Sequence, residues 1–181
     1  MRIIAGTLKG RTIDAPTWEG LRPTSDKLRE TLFNVLAPRI AGAAVLDGYA
    51  GTGAVGIEAI SRGAADVTFV EQDRRAAALI RSNIEKCRIS SGYAIIQSSV
   101  LQAIAGLKAK GSAFDVILLD PPYASDFHEA LPHVEDIVKP DGVVILEHAR
   151  KAAAPAAAGR LTRVREVKSG DSTLTFYTCQ P

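Results

Sequence analysis

Between residues 43 and 147, short apolar runs alternate with stretches of helical pattern, and this alternation limits the fold more than any other feature. The runs are Ala43–Leu46, Asp66–Val70, Tyr93–Gln97, Phe114–Leu119 and Val143–Glu147. Each has strand length, and Phe114–Leu119 is apolar almost throughout, as burial on both faces requires. Helices are predicted over Gly56–Arg62, Arg74–Lys86, Leu101–Lys108 and residues 127–138. Strands alternating with helices imply a doubly wound, mostly parallel sheet, with ligands at the carboxyl ends of its strands. The strand-end residues Asp47, Glu71 and Asp120 are therefore the first candidates for chemistry.

The tail changes period. Leu161–Val167 and Thr173–Cys179 read as two strands joined through Ser169-Gly170-Asp171, an antiparallel hairpin that brings the expected sheet to seven strands. The Ala-rich residues 151–159 read as a loop or helix fragment. At the other end, residues 2–13 suggest a short hairpin. Thr24 or Ser25 can cap a helix carrying Leu28, Leu32, Val35 and Leu36 up to Pro38. The expected division is an extension over 1–40 and a catalytic domain over 41–181.

The loop Asp47-Gly48-Tyr49-Ala50-Gly51-Thr52-Gly53 lies between a strand and a helix. Gly51 and Gly53 permit a tight turn with backbone close to a ligand. With Gly56 the spacing fits the dinucleotide fingerprint, and Glu71 follows Gly51 by 20 positions, where a carboxylate can accept ribose hydroxyls. An adenosine-containing cofactor follows. A pyrophosphate favours a helix N-terminus free of negative charge. Asp47 on the approach to the loop instead suits the ammonium of a methionine moiety, and at longer range a sulfonium. S-adenosyl-L-methionine, leaving as S-adenosyl-L-homocysteine, is thus expected over a nicotinamide dinucleotide, and no metal is expected.

Asp120-Pro121-Pro122-Tyr123 directly follows the fourth strand. Two prolines fix φ and remove two N–H donors, which stiffens the loop. Asp120 and the Pro121 carbonyl can each accept one hydrogen of an exocyclic amine, and Tyr123 offers a face for base stacking. Holding both hydrogens favours a pyramidal nitrogen whose lone pair is free to attack.

Charge is segregated. Residues 1–40 carry seven basic groups against four acidic, residues 150–168 six against one, and residues 41–149 nine against fourteen. Basic ends suggest a polyanionic partner, with Arg2, Lys9, Arg11 and Arg29 as candidate contacts. No apolar run reaches the roughly 20 residues that span a bilayer. Met1–Gly6 meets Lys9 and Arg11 too soon for a signal peptide, so the cytoplasm is the expected location. His128, His133 and His148 lack partners at catalytic spacing, and Trp18 reads as a surface anchor. Cys87 and Cys179 lie far apart in the sequence and read as free thiols.

The Asp-Pro-Pro-Tyr loop downstream of the glycine loop resembles that of amino-directed methyltransferases of nucleic acids. Arg2-Ile3-Ile4-Ala5-Gly6, Lys9-Gly10-Arg11, Leu21-Arg22-Pro23-Thr24, Arg29-Glu30-Thr31-Leu32-Phe33-Asn34, Glu58–Ala64 and Gly170-Asp171-Ser172-Thr173 resemble the bacterial RsmD family over nearly the whole chain. The resemblance implies a class I, Rossmann-like methyltransferase fold and methylation of the N2 amine of one guanine in 16S ribosomal RNA. The implied partner is the small ribosomal subunit or an assembly intermediate, met by a monomer. It adds Arg22 and Lys27 near the substrate. The expected cofactor set is Asp47, Tyr49, Ala50, Gly51, Thr52, Gly53, Glu71, Gln72, Ser99 and Asp120. Ser98-Ser99 stands where relatives often carry an Asp for the adenine amine, so the Ser99 hydroxyl or a backbone group must substitute. The competing readings are a DNA or other RNA methyltransferase acting on adenine N6, a dinucleotide oxidoreductase, and a non-catalytic ribosome-assembly factor. The short chain, Asp47 with the Pro-Pro loop, and the intact acids argue against them in turn.

Overall fold

A computed structural model describes residues 1–19, 24–122 and 126–179. The central element is an eight-stranded sheet in the order β3-β2-β1-β4-β5-β8-β7-β6. The parallel strands are β1 (Ala44–Gly48), β2 (Asp66–Val70), β3 (Tyr93–Ile96), β4 (Phe114–Leu119) and β5 (Val138–Ala149). The antiparallel part is β6 (Ala157–Ala158), β7 (Leu161–Ser169) and β8 (Ser172–Cys179), with β8 seated between β5 and β7. The seven expected strands are present. The eighth, β6, arises in the Ala-rich segment read as loop or helix fragment, where two residues pair with Leu161 and Thr162.

Alternation along the strands divides the core. Val45, Val67, Phe69, Val116, Leu118 and Ile145 face one side, packed by α1 (Asp26–Ile40), α2 (Ala54–Ser61) and α3 (Arg74–Lys86). Leu46, Val70, Ile117, Leu119, Val144 and Leu146 face the other, packed by α4 (Val100–Ala109) and by Leu131, Val134 and Ile137. The latter three follow α5 (Asp126–Ala130), in and just after a single 3₁₀ segment over Leu131–Asp136. The period of two thus produces three layers.

Helix starts follow local chemistry. The Ser25 hydroxyl accepts from Leu28 N and opens α1, while Asp73 accepts from Arg75 N and Ala76 N and opens α3. Pro38 does not end α1, contrary to expectation. The helix runs two residues further: Pro38 costs one bond of the ladder, and the burial of Leu36 and Ile40 on either side of it offsets that loss. The N-terminal hairpin reduces to a single bridge between Arg2 and Thr12, with turns between them. Ile3 and Ile13 join the same core as α1 and β1.

Sheet order explains where a ligand can sit. From β1 the chain winds outward through β2 and β3, then returns to β4 on the other side of β1. The two βα loops that leave β1 and β4 therefore diverge, and a crevice opens beyond Gly48 and Leu119, which are paired.

Candidate active site

The loop after β1 holds Tyr49 at φ 67°, Gly51 at 55° and Gly53 at 77°. The two glycines make this turn cheaply. Tyr49 takes a conformation that L side chains seldom adopt, as happens where a ligand site dictates the backbone. Ala50 N donates to Val70 O at 2.9 Å and Gly53 N to Ala50 O at 2.7 Å, which locks the turn to β2.

Asp47 is buried and accepts from Gly56 N at 2.9 Å. Its carboxylate thus occupies the first turn of α2, where a bound pyrophosphate would otherwise sit. Burial pushes the Asp47 carboxyl up to about 7; the Gly56 N–H opposes this and the Glu71 charge adds to it. A cation beside it, such as an ammonium, would relieve that cost. At the end of β2, Glu71 accepts from Gly51 N at 2.9 Å and from Asp73 N at 2.8 Å. Carboxylate oxygens take more than one hydrogen bond, so these contacts orient the acid and leave capacity for ribose hydroxyls.

A cleft of about 690 Å³ runs over these loops, within the usual range for small-molecule sites. Tyr49, Ala50, Gly51, Thr52, Glu71, Gln72 and Asp120 line it, whereas Asp47 lines an adjoining apolar recess with Asp120 and Leu118. Gly53 shapes the turn from beneath as the N-terminal cap of α2. Ser98 and Val100 face the cleft, while the Ser99 hydroxyl caps α4 by accepting from Gln102 N. Ser98 is thus the better placed of the two serines for adenine.

Asp120 is solvent-exposed at the cleft yet crowded from behind. The surrounding atoms, then the charges of Glu147 and Asp47, hold its carboxyl well above the usual carboxylate range. Pro121 and Pro122 continue the wall. Tyr123 and Arg22 lie outside the described residues.

Two features were missed in the sequence. Glu147 closes the apolar run of the fifth strand in the sequence, though β5 continues to Ala149, and it accepts from the Ser172 hydroxyl at 3.1 Å. Asp171 and Ser172, from the β7–β8 turn, line the cleft with His148, whose Nε2 lies 2.8 Å from Thr175 Oγ1. The strand-end rule that selected Asp120 would also have selected Glu147. Trp18 reaches the cleft too, its ring 5.0 Å from the Arg75 guanidinium.

Among the basic candidates, Arg2, Lys9, Arg11 and Lys27 are exposed, and Lys27 borders the cleft beside Thr24 and Leu28. Arg11 Nη1 donates to Cys87 O at 2.6 Å. Arg29, expected as an RNA contact, is not placed as one. It is fully buried and donates to Arg2 O and to Asp26, so it cannot meet RNA. It lies on the helix face of Leu32, Phe33, Leu36 and Ile40, a spacing that announces burial.

The raised carboxyl of Asp47 gives a pH-dependent expectation. A cationic ligand binds its ionised form, so cofactor affinity should fall as pH drops through about 7, by up to tenfold per unit. For the free protein the sign is reversed: a raised acid binds its proton more tightly when folded, so this group favours folding as pH falls. Calorimetry between about pH 5.5 and 7.5 checks the first statement, and a flat affinity would refute it.

Comparison with known proteins places this geometry. A family profile described as "Conserved hypothetical protein 95" matches residues 1–178. A candidate rRNA methyltransferase of Bacillus subtilis, YlbH, is 32% identical over 180 residues, 98% of each chain. Ribosomal RNA small subunit methyltransferase D of Haemophilus influenzae is 39% identical over 151 residues, 81% of this chain and 78% of that one. In structure, a candidate methyltransferase of Escherichia coli, yhhF, superposes with a TM-score of 0.84 at 29% identity, covering 100% of this chain and 98% of the other.

Proposed function

Because the chain belongs to the RsmD family, Conserved hypothetical protein 95, we propose that it methylates the exocyclic N2 amine of a guanine in the 16S RNA of the small ribosomal subunit. It is an S-adenosylmethionine-dependent rRNA methyltransferase of class I fold. The observation that carries the finer reading is the placement of Asp120-Pro121-Pro122 at the end of β4, one strand from Asp47 and in one cleft with Glu71.

When bound, S-adenosylmethionine supplies a methyl group already activated by a positive sulfur. The loop Tyr49–Gly53 and Glu71 hold the adenosine end, and Asp47 balances the ammonium. Asp120 and the Pro121 carbonyl each accept one N–H of the amine, which aims its lone pair into the cleft. The stiff Pro-Pro backbone keeps both acceptors in place, and much of the rate comes from that alignment. A carboxylate raised above its ordinary range is also a better base, so Asp120 can take the proton released after transfer. Tyr123 stacks on the base, which is flipped out of any helix to reach the site. Arg2, Lys9, Arg11, Arg22 and Lys27 contact phosphates. The protein works as a cytoplasmic monomer on the subunit or an assembly intermediate, with residues 1–40 as an RNA-contacting extension.

The test offers labelled methyl donor to naked 16S RNA, isolated small subunits and a DNA duplex, followed by nucleoside analysis. N2-methylguanosine from ribosomal substrate alone is expected. N6-methyladenosine, or labelled DNA, would overturn the assignment.

A further inference from the structure

The acceptor end of the cleft contains more acid than a single amine requires. Leu119 pairs with Leu146 across the parallel β4 and β5. Asp120, just past the end of β4, and Glu147, within β5, therefore stand at the same level, with the strands about 4.8 Å apart. Alternation directs both to one face: Leu118 and Ile145, two residues earlier, share a core, and both acids line the same recess beneath the cleft. They feel each other, since the Glu147 charge helps raise the Asp120 carboxyl. The Ser172 hydroxyl, brought by β8, donates to one Glu147 oxygen and fixes its rotamer. Two like charges side by side are costly, so the arrangement calls for a ligand that brings donors to both.

Guanine has such an edge. Its N1–H and N2–H₂ are adjacent donors, whereas adenine shows an amine beside a bare N1 lone pair. We propose that Glu147 accepts the N1–H of the acceptor guanine while Asp120 accepts an N2 hydrogen, which makes Glu147 the residue that selects guanine over adenine. Adenine in the same pose would face the Glu147 carboxylate with a lone pair, and that repulsion excludes it as much as attraction admits guanine. Ser172 is a positioning residue, acting through Glu147. The assignment rests on the guanine-N2 reading and adds the group that enforces it.

The experiment compares 16S RNA carrying guanine or 2-aminopurine at the methylated position. 2-Aminopurine keeps the reacting amine, replaces N1–H with a bare ring nitrogen and lacks O6, so the response of the ratio to Glu147→Gln assigns the preference to the N1 edge. The unmodified enzyme should favour guanine in kcat/KM by about 10- to 100-fold, the worth of one hydrogen bond to a charged group. Glu147→Gln, whose amide can donate to that nitrogen, should bring the ratio near one, chiefly through loss on guanine. Ser172→Ala should lower the ratio without abolishing it. Equal use of both bases by the unmodified enzyme overturns the assignment with no variant needed, and so does an unchanged ratio in a folded Glu147→Gln protein. Nucleoside analysis separates the failures. N2-methylguanosine without base preference removes the role of Glu147 alone; methyl on any other base removes the proposed function with it.

Discussion

Asp120→Ala is expected to lower kcat by about 10²–10⁴-fold, the usual contribution of a positioned acid–base group, with cofactor affinity nearly unchanged. The side chain reaches solvent at the end of β4, and the loop after β1 with Glu71, proposed to hold the adenosine end, is fixed by contacts that do not involve Asp120. Deleting it removes a carboxyl that the fold holds above its ordinary range, so the variant should melt no lower than the parent. Asp120→Asn keeps an acceptor oxygen and loses the charge, and should fall between. Single-turnover methyl transfer, with calorimetry for the cofactor, reads both quantities. A kcat within tenfold of the parent would remove Asp120 from the mechanism.

The second large effect concerns stability. Glu58 is completely buried in α2 and accepts from Ile4 N at 2.8 Å, from Ala5 N at 3.0 Å and from Arg62 Nε at 2.7 Å. Its other cationic neighbour is Arg29, whose Nη1 lies 4.0 Å away. Arg29 Nε and Nη1 are buried with no hydrogen-bond partner among the described residues, so Glu58 is the buried carboxylate beside that end of the guanidinium, while Nη2 pairs with Asp26. Glu58→Ala should cost about 3–5 kcal/mol, as breaking a buried pair does, out of the 5–15 kcal/mol typical of a domain. Urea unfolding reads the loss, and amide exchange at Ile4 and Ala5 should quicken. A loss under about 1 kcal/mol, the worth of one ordinary hydrogen bond, would show that water or rearrangement replaces the cluster.

Arg29 marks the boundary of what the sequence disclosed. Counted as charge, it belonged with the basic end; counted as a helix position, it belonged with Leu32, Phe33 and Leu36. The second count won because Asp26, one turn back, pairs with the guanidinium and Glu58, 29 positions away, lies 4.0 Å from it; the first partner is legible in the sequence and the second is not. Asp47, Glu71 and Asp120 were legible because each ends an apolar run, and the crossover rule puts such ends in one crevice. Glu147 obeys the same rule, but its meaning depends on Ser172, which reaches it only through the antiparallel pairing of β5 with β8. Pro38 and the small strand β6 show the same limit: tertiary burial and edge pairing decided both. The cap of α1 was legible as a choice between Thr24 and Ser25, and Ser25 took it.

The position of β8 bears on how the protein is made. It lies between β5 and β7, yet it is synthesised after both. Until Ser172–Cys179 emerges, the β5 edge carrying Glu147 has no neighbour on that side, and an unpaired edge invites wrong partners. The contacts of Glu58 with Ile4 and Ala5, by contrast, join segments that are made early. In chain order, the wall that carries Glu147 is thus the part of the sheet completed last. A nascent chain stalled before Ser172 would lack the hydroxyl that holds Glu147.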